Sequence, residues 1–278
     1  MSVPRHERAY AKVNLLLHVG SRRADGLHEI CSLFASIDLA DELVVTLGEG
    51  ADSVDCPGVE GPNLAAAALA AFRRETAAQL PPLRVSIAKR IPVAAGLGGG
   101  SADAAAALRV ANELSGRPLD IAGLRAVAAG IGADVPSQIE PRHALVSGAG
   151  ERIEPIALPP MALLLVPRHP GLLAGEVYAE ADQLGSTRST LDAERIRRLA
   201  AQPFEALAGE LENDLEPAVL SLRPQLERPL EALRDAGAAA ALVTGSGPTT
   251  FGVFADRAGA ARAASGVPGA FVSMVRPS

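Results

Sequence analysis

The chain has 278 residues, of which 48% are hydrophobic and 21% charged, a composition that is typical of a globular protein and excludes a disordered one. The formal net charge of −6 argues against nucleic acid or an anionic membrane as the main partner, and the two cysteines lack the spacing of a metal site or disulfide framework. The N-terminus lacks an apolar signal core and no apolar run reaches membrane-spanning length, so we expect a cytoplasmic protein.

The first predicted element is a strand from Tyr10 to Val19, whose apolar residues are interrupted by Lys12 and Asn14. These two polar residues have the same parity, so their side chains lie on one face of the strand. Taken alone, the pattern favours a solvent-facing position for both.

A turn at Asp25-Gly26 follows, within the segment RRADGLHEI of residues 22–30. Strands are predicted over residues 30–39 and 43–47, as a hairpin or meander. Taken alone, His28 is typical of a solvated turn residue.

A helix is predicted from Leu64 to Thr76 with Asn63 at its start, and a strand over residues 83–88. The strand leads into a loop with four glycines in five positions, which continues into a helix predicted over residues 101–114. The loop and the start of this helix comprise Pro92, Val93, Ala94, Ala95, Gly96, Leu97, Gly98, Gly99, Gly100, Ser101 and Ala102.

This glycine loop predicts a phosphate-binding site. Glycine permits positive φ and has no Cβ, so several backbone N–H groups can curl around an anion, and the helix N-terminus adds its positive end. An ordinary turn is the alternative, but four glycines would cost it much backbone entropy. The loop matches neither the Walker A pattern nor the dinucleotide-binding fingerprint.

Asp134 lies in a bend between Gly132 and Pro136, after a helix predicted over residues 120–129, and the pattern alone favours an ordinary turn aspartate.

A domain boundary is predicted at residues 158–160. Beyond it we expect strands at 161–166, 240–244, 251–254 and 270–275, and helices at 175–183, 192–201 and 217–234. The turn of Gly245, Ser246 and Gly247 would by itself be typical of a hairpin.

Several of these segments resemble motifs of the GHMP kinases, a superfamily of small-molecule kinases. Residues 92–101 resemble the P-x-x-x-G-L-G segment that wraps the ATP phosphates, and residues 245–247 resemble its Gly-Ser-Gly motif. Residues 11–19 resemble A-K-V-N-L-x-L-x-V, and residues 22–30 resemble R-R-x-D-G-Y-H-E. The last two motifs mark the branch that phosphorylates 4-diphosphocytidyl-2-C-methyl-D-erythritol in the non-mevalonate isoprenoid pathway.

The resemblance implies an α+β fold of two domains, with the active site in the cleft between them. A nucleotide-binding domain would span residues 1–158 and a GHMP-type C-terminal domain residues 161–278. The implied cofactors are ATP and its Mg²⁺, for which no protein metal site is predicted. The implied partners are small molecules, ATP and a cytidine diphosphate-linked polyol, and neither nucleic acid nor membrane.

The resemblance also implies roles for single residues. Lys12 and Asp134 would be catalytic, residues 92–102 would bind ATP, and His28 would help to bind cytosine. Leu27 replaces the family's tyrosine in the base pocket, so we predict that Tyr178 stacks on the cytosine and that Leu27 packs opposite. The remaining substrate-binding residues would be Asn14, Gly245, Ser246 and Gly247.

Three alternatives stay open at this point. A mevalonate or homoserine kinase would share the glycine loop but should lack the segment of residues 22–30 as it stands. A catalytically inactive sensor with the same fold should have lost Lys12 or Asp134, and both are present. A plain nucleotide-binding module would leave the second half of the chain without a role.

Overall fold

A computed structural model describes residues 3–77 and 79–277, which form ten strands and ten α-helices. The strands are β1 (Arg5–Arg22), β2 (His28–Leu47), β3 (Ser53–Asp55), β4 (Leu83–Ala88), β5 (Ala144–Gly148), β6 (Arg152–Pro155), β7 (Ala162–Val166), β8 (Ala240–Val243), β9 (Thr250–Phe254) and β10 (Phe271–Met274). The helices are α1 (Leu64–Thr76), α2 (Gly99–Leu114), α3 (Ile121–Ala129), α4 (Val135–Gln138), α5 (Ala174–Leu184), α6 (Ala193–Ala200), α7 (Phe204–Ala208), α8 (Glu216–Leu222), α9 (Glu227–Asp235) and α10 (Arg257–Ala264). Within the described ranges, no helix is long and apolar enough to cross a membrane.

The chain forms two compact units, and each is assembled from several segments. The first unit holds the described residues up to Ala11, Leu39–Val93 and Gly98–Pro141. The second holds Lys12–Asp38, Ala94–Leu97 and the described residues from Arg142 onward. Both units mix helices with sheet, so the predicted α+β class is confirmed. The domain boundary at residues 158–160 stays a prediction.

In the first unit, the second part of β2 pairs antiparallel with β4, and β3 pairs parallel with the other edge of β4. The helices α1 and α2 pack against each other, and buried alanines on α2 permit a close approach. The apolar core of this unit includes Leu69, Phe72, Leu83 and Ile87. The glycine-rich start of α2 follows β4 in the chain after a loop of ten residues, 89–98.

In the second unit, an antiparallel sheet has the strand order β10-β7-β9-β8. The helices α9 and α10 pack on this sheet, and α5 packs on α8. The first part of β2 pairs antiparallel with β5, which pairs with β6. The core of this unit includes Leu164, Val177, Leu233 and Val243.

Two sequence predictions of secondary structure are wrong. The strands predicted at 30–39 and 43–47 are one continuous strand, β2, because Asp41 does not form a turn. Its buried carboxylate accepts hydrogen bonds from the backbone N–H groups of Arg90 and Ile91. The helix predicted over 217–234 is broken into α8, a 3₁₀ turn at Pro224–Leu226, and α9. Pro224 lacks the N–H that a continuous helix needs.

Three of the predicted helix starts are confirmed by side-chain caps. Asn63 accepts a hydrogen bond from the backbone N–H of Ala65 at the start of α1. Asp120 and Asp192 cap α3 and α6 in the same way, with acceptor distances of 2.8 Å. Side chains of this type satisfy N–H groups that a helix leaves unpaired.

A buried histidine in the second unit predicts how stability depends on pH. The Nδ1 atom of His143 accepts a hydrogen bond from the N–H of Ser36, and Nε2 lies 2.8 Å from the carbonyl oxygen of Arg276. The ring is therefore neutral, with its hydrogen on Nε2. Burial lowers the pKa of His143, although the bond to the Arg276 carbonyl opposes this effect.

The unfolded chain takes up a proton on this residue as the pH falls through about 6.5, whereas the folded chain takes it up only at lower pH. The contribution of His143 to the free energy of unfolding should thus be greatest above about pH 6.5 and decrease as the pH falls below it. Urea unfolding between pH 7.5 and 5 measures this slope. His143→Gln is expected to flatten it and His6→Gln, at an exposed position, to leave it unchanged. An equal slope in wild type and His143→Gln would contradict the assignment.

Candidate functional site

The glycine loop has the backbone geometry of an anion cradle. Ala94, Gly96 and Gly98 have φ values of 54°, 78° and 71°, so the chain turns through left-handed conformations three times within five residues. The helix α2 then begins at Gly99, two residues earlier than predicted. No side chain caps its N-terminus, so the N–H groups of its first turn remain for a ligand.

The Gly-Ser-Gly turn packs directly against this loop within the second unit. A Cβ at Gly96 would lie 2.5 Å from the carbonyl oxygen of Gly247, a distance that real Cβ atoms do not show. On another side, a Cβ at Gly171 would lie 2.6 Å from the carbonyl oxygen of Ala94. The backbone of the loop is therefore held by backbone contacts that only glycine permits.

Lys12 and Asn14 belong to the same cluster. The backbone N–H of Lys12 donates to the carbonyl oxygen of Leu97, and its Nζ donates to Asn14 Oδ1 at 2.7 Å. The N–H of Asn14 donates to the hydroxyl of Thr244, and a Cβ at Gly245 would lie 3.0 Å from Asn14 Oδ1. Three segments that are far apart in sequence thus meet here.

Lys12 and Asn14 are buried, with 6% and 4% of their surfaces exposed, so the solvent-facing alternative is wrong. The Lys12 ammonium also lies 4.6 Å from the centre of the Phe34 ring. Burying an ammonium group costs free energy, and a structural core would use an apolar side chain instead. A buried lysine beside an anion cradle is suited to stabilising negative charge.

Asp134 lies in the first unit, where it immediately precedes α4 and is half-buried. Its side chain does not cap this helix. The hydroxyl of Ser137 donates to the carbonyl oxygen of Asp134 at 2.8 Å. Ser137 and Gln138 are both buried, so this hydrogen bond braces the backbone that carries Asp134.

The residues predicted for the base pocket meet only in part. The rings of His28 and Tyr178 stack, with centroids 5.0 Å apart and an interplanar angle of 27°. Leu27 is 53% exposed. One face of Tyr178 is therefore in contact with His28, and the stacking of Tyr178 on a cytosine stays a prediction.

The sequence did not predict an ion cluster in the first unit, which lies beside the start of α2. The Nζ of Lys89 donates to Asp41 at 2.5 Å and to Asp103 at 2.8 Å. Asp103 is on the second turn of α2, and a Cβ at Gly99 would lie 3.2 Å from Lys89 Nζ. The cluster thus links Lys89, which precedes the glycine loop, to Asp103 on the helix that follows the loop.

The charges in this cluster act on one another. Burial raises the pKa of Asp103 and the nearby Asp41 adds to this effect, against the lowering effect of Lys89. Burial also opposes the charge on Lys89, but the two carboxylates outweigh it and raise the pKa of Lys89. One sequence signal was available, because Lys12 and Lys89 are the only lysines in a chain whose other basic residues are arginines.

Comparison with known proteins assigns the chain to one protein family. The model of the GHMP kinases N terminal domain matches residues 63–140, and the model of the GHMP kinases C terminal region matches residues 192–273. The 4-diphosphocytidyl-2-C-methyl-D-erythritol kinases of an Anaeromyxobacter species and of Methylobacterium radiotolerans are 44% and 42% identical to the chain. These alignments cover 92% and 93% of this chain, and 84% and 92% of the relatives.

Solved structures agree with this result. A crystal structure of 4-(cytidine 5'-diphospho)-2C-methyl-D-erythritol kinase is 34% identical and superposes with a TM-score of 0.80, covering 97% of this chain and 98% of that one. Homoserine kinase from Cytophaga hutchinsonii is 16% identical, with a TM-score of 0.69 over 100% of this chain and 96% of that one. The second likeness shows a common fold alone.

Proposed function

Since the chain belongs to the GHMP kinases, and among them to the 4-diphosphocytidyl-2-C-methyl-D-erythritol kinases, we propose that it transfers the γ-phosphoryl group of ATP to the 2-hydroxyl of that polyol. It is then an enzyme of the non-mevalonate route to isoprenoid precursors. The observation that carries the proposal beyond family membership is the meeting of Lys12, the glycine loop and the Gly-Ser-Gly turn in one cluster.

The loop and the start of α2 would hold the triphosphate through backbone N–H groups. Mg²⁺ accompanies ATP in such reactions and neutralises charge on the phosphates. Among the described residues no group of three potential ligands of the His, Cys, Asp or Glu type occurs, so the ion would be bound mainly by phosphate and water. Ser101 lies on the first turn of α2, and its hydroxyl makes no hydrogen bond to the described residues, so it is the loop side chain that fits the ion.

The protein's own part in phosphoryl transfer is positioning and charge stabilisation. Asp134 would accept the proton of the acceptor hydroxyl. Lys12 would offset negative charge on the transferring group, with Asn14 holding its ammonium in place. In a loose transition state the hydroxyl proton leaves late, so a strong base is not required.

A panel of alcohol acceptors tests the function. With ATP and Mg²⁺, the purified protein is expected to phosphorylate 4-diphosphocytidyl-2-C-methyl-D-erythritol with a kcat/KM at least ~10²-fold above those for mevalonate and homoserine. ADP release measures all three reactions, and mass spectrometry identifies the phosphorylated product. A preference for mevalonate or homoserine would assign the chain to a sister activity. An ADP release rate that is the same with and without every acceptor would exclude a kinase of this kind.

A further inference from the structure

Two side chains on α5 hold the imidazole of His28 from different directions. Tyr178 and Asp182 are four residues apart and therefore lie on the same face of the helix. Tyr178 stacks on the ring, and Asp182 Oδ1 lies 2.8 Å from Nε2. His28 is 8% exposed, so its ring is fixed in place by packing as well as by this hydrogen bond.

The pairing with Asp182 determines which nitrogen of the neutral ring carries the hydrogen. An ionised carboxylate only accepts hydrogen bonds, so Nε2 must be the donor. Nδ1 is then an acceptor, with a lone pair in the plane of the ring. Nδ1 forms no hydrogen bond with any residue in the described part of the chain.

We propose that Asp182 is a positioning residue that keeps His28 as an acceptor and thereby selects cytosine over uracil. This inference rests on the proposed function, in which His28 contacts the base of the acceptor substrate. Cytosine has an amino donor at position 4, where uracil has a carbonyl acceptor. Nδ1 can accept a hydrogen bond from the amino group, whereas a uracil carbonyl would face it as a second acceptor and leave both unpaired.

The tautomer is tested directly by nitrogen NMR of the histidine side chains in the free protein. Wild type is expected to show His28 with its hydrogen on Nε2, and His28→Gln identifies the signal by removing it. In Asp182→Asn the amide can either accept from or donate to Nε2, so a mixture of both tautomers is expected. A wild-type ring with its hydrogen on Nδ1 would overturn the proposal.

Selectivity is tested with the cytidine-linked acceptor and its uridine analogue. Asp182→Asn is expected to lower the ratio of the two kcat/KM values by at least ~10-fold, the scale of one hydrogen bond, through a higher KM for the cytidine compound and an unchanged KM for ATP. Asp182→Glu keeps the carboxylate and should retain selectivity. Glu176→Gln, an exposed acid on the same helix, is the matched control.

Equal losses for both acceptors in Asp182→Asn would mean that Asp182 only supports the structure, and the proposal would then be wrong. Loss of selectivity in Glu176→Gln as well would show a general effect of charge and would also overturn it. If wild type turns over neither nucleoside compound, the proposed function fails by itself, while the NMR result still decides the tautomer.

Discussion

Replacing Asp134 by asparagine, or Lys12 by methionine, is expected to lower kcat by at least ~10²-fold, the usual scale for a positioned acid–base group. The asparagine amide would not accept the hydroxyl proton, and the methionine side chain would not offset charge on the transferring phosphoryl group. Methionine is chosen at position 12 because Lys12 is buried and an unbranched side chain preserves the packing. The KM for ATP should change little, because in the proposed function the backbone of the loop binds the phosphates.

The double variant shows whether the two residues serve one step. If both act on the same transfer, Asp134→Asn combined with Lys12→Met should be little worse than either alone. Asp120→Asn is a matched control, because Asp120 is an exposed cap of α3 and asparagine caps a helix as well as aspartate does, so neither stability nor kcat should change. Fully multiplicative losses in kcat would contradict a common role.

Replacing Gly96 by alanine is expected to weaken ATP binding by at least ~10²-fold, as for the loss of two charge-assisted hydrogen bonds of about 1.5–3 kcal/mol each. The added Cβ would collide with the carbonyl of Gly247, so the loop must move and its N–H groups must leave their positions. Calorimetry with a non-hydrolysable ATP analogue measures the affinity, and the melting temperature shows whether the variant is folded.

The variant Gly116→Ala is a control that has the conformational cost of a left-handed alanine but no steric collision. Gly116 has the same φ of 78° as Gly96, but a Cβ there would meet no atom within 4 Å. Both variants bear the cost of a left-handed alanine, about 1–2 kcal/mol, and only Gly96→Ala disturbs the loop. Normal ATP affinity in a folded Gly96→Ala protein would place the phosphate site elsewhere.

The sequence predicts well those parts of the fold that are determined by residues close to one another in the chain. The strand Leu83–Ala88 alternates buried and exposed residues, and the starts of α1, α3 and α6 coincide with side-chain caps. Such signals lie within a few residues of the structure they indicate. Pro224 was also a local signal, but the predicted helix over residues 217–234 ran across it.

Asp41 shows why other parts could not be predicted. Acidic residues in the middle of an apolar segment favour a turn, and only the loop that follows β4, nearly fifty positions later, shows that the carboxylate is paired. The same holds for the site. Lys12 and the glycine loop were found through their motifs, but the partners Lys89 and Asp182 belong to no motif and become visible only through tertiary contacts.

The contact between Gly96 and Gly247 has a consequence for inhibitors. Every residue other than glycine carries a Cβ, so no single substitution at position 96 avoids the collision, and no substitution at position 247 removes its own carbonyl group. A compound that hydrogen-bonds to the backbone of this loop therefore contacts a surface that point mutation cannot reshape without harming the proposed nucleotide site. Resistance to such a compound is expected to arise at side-chain contacts away from the loop.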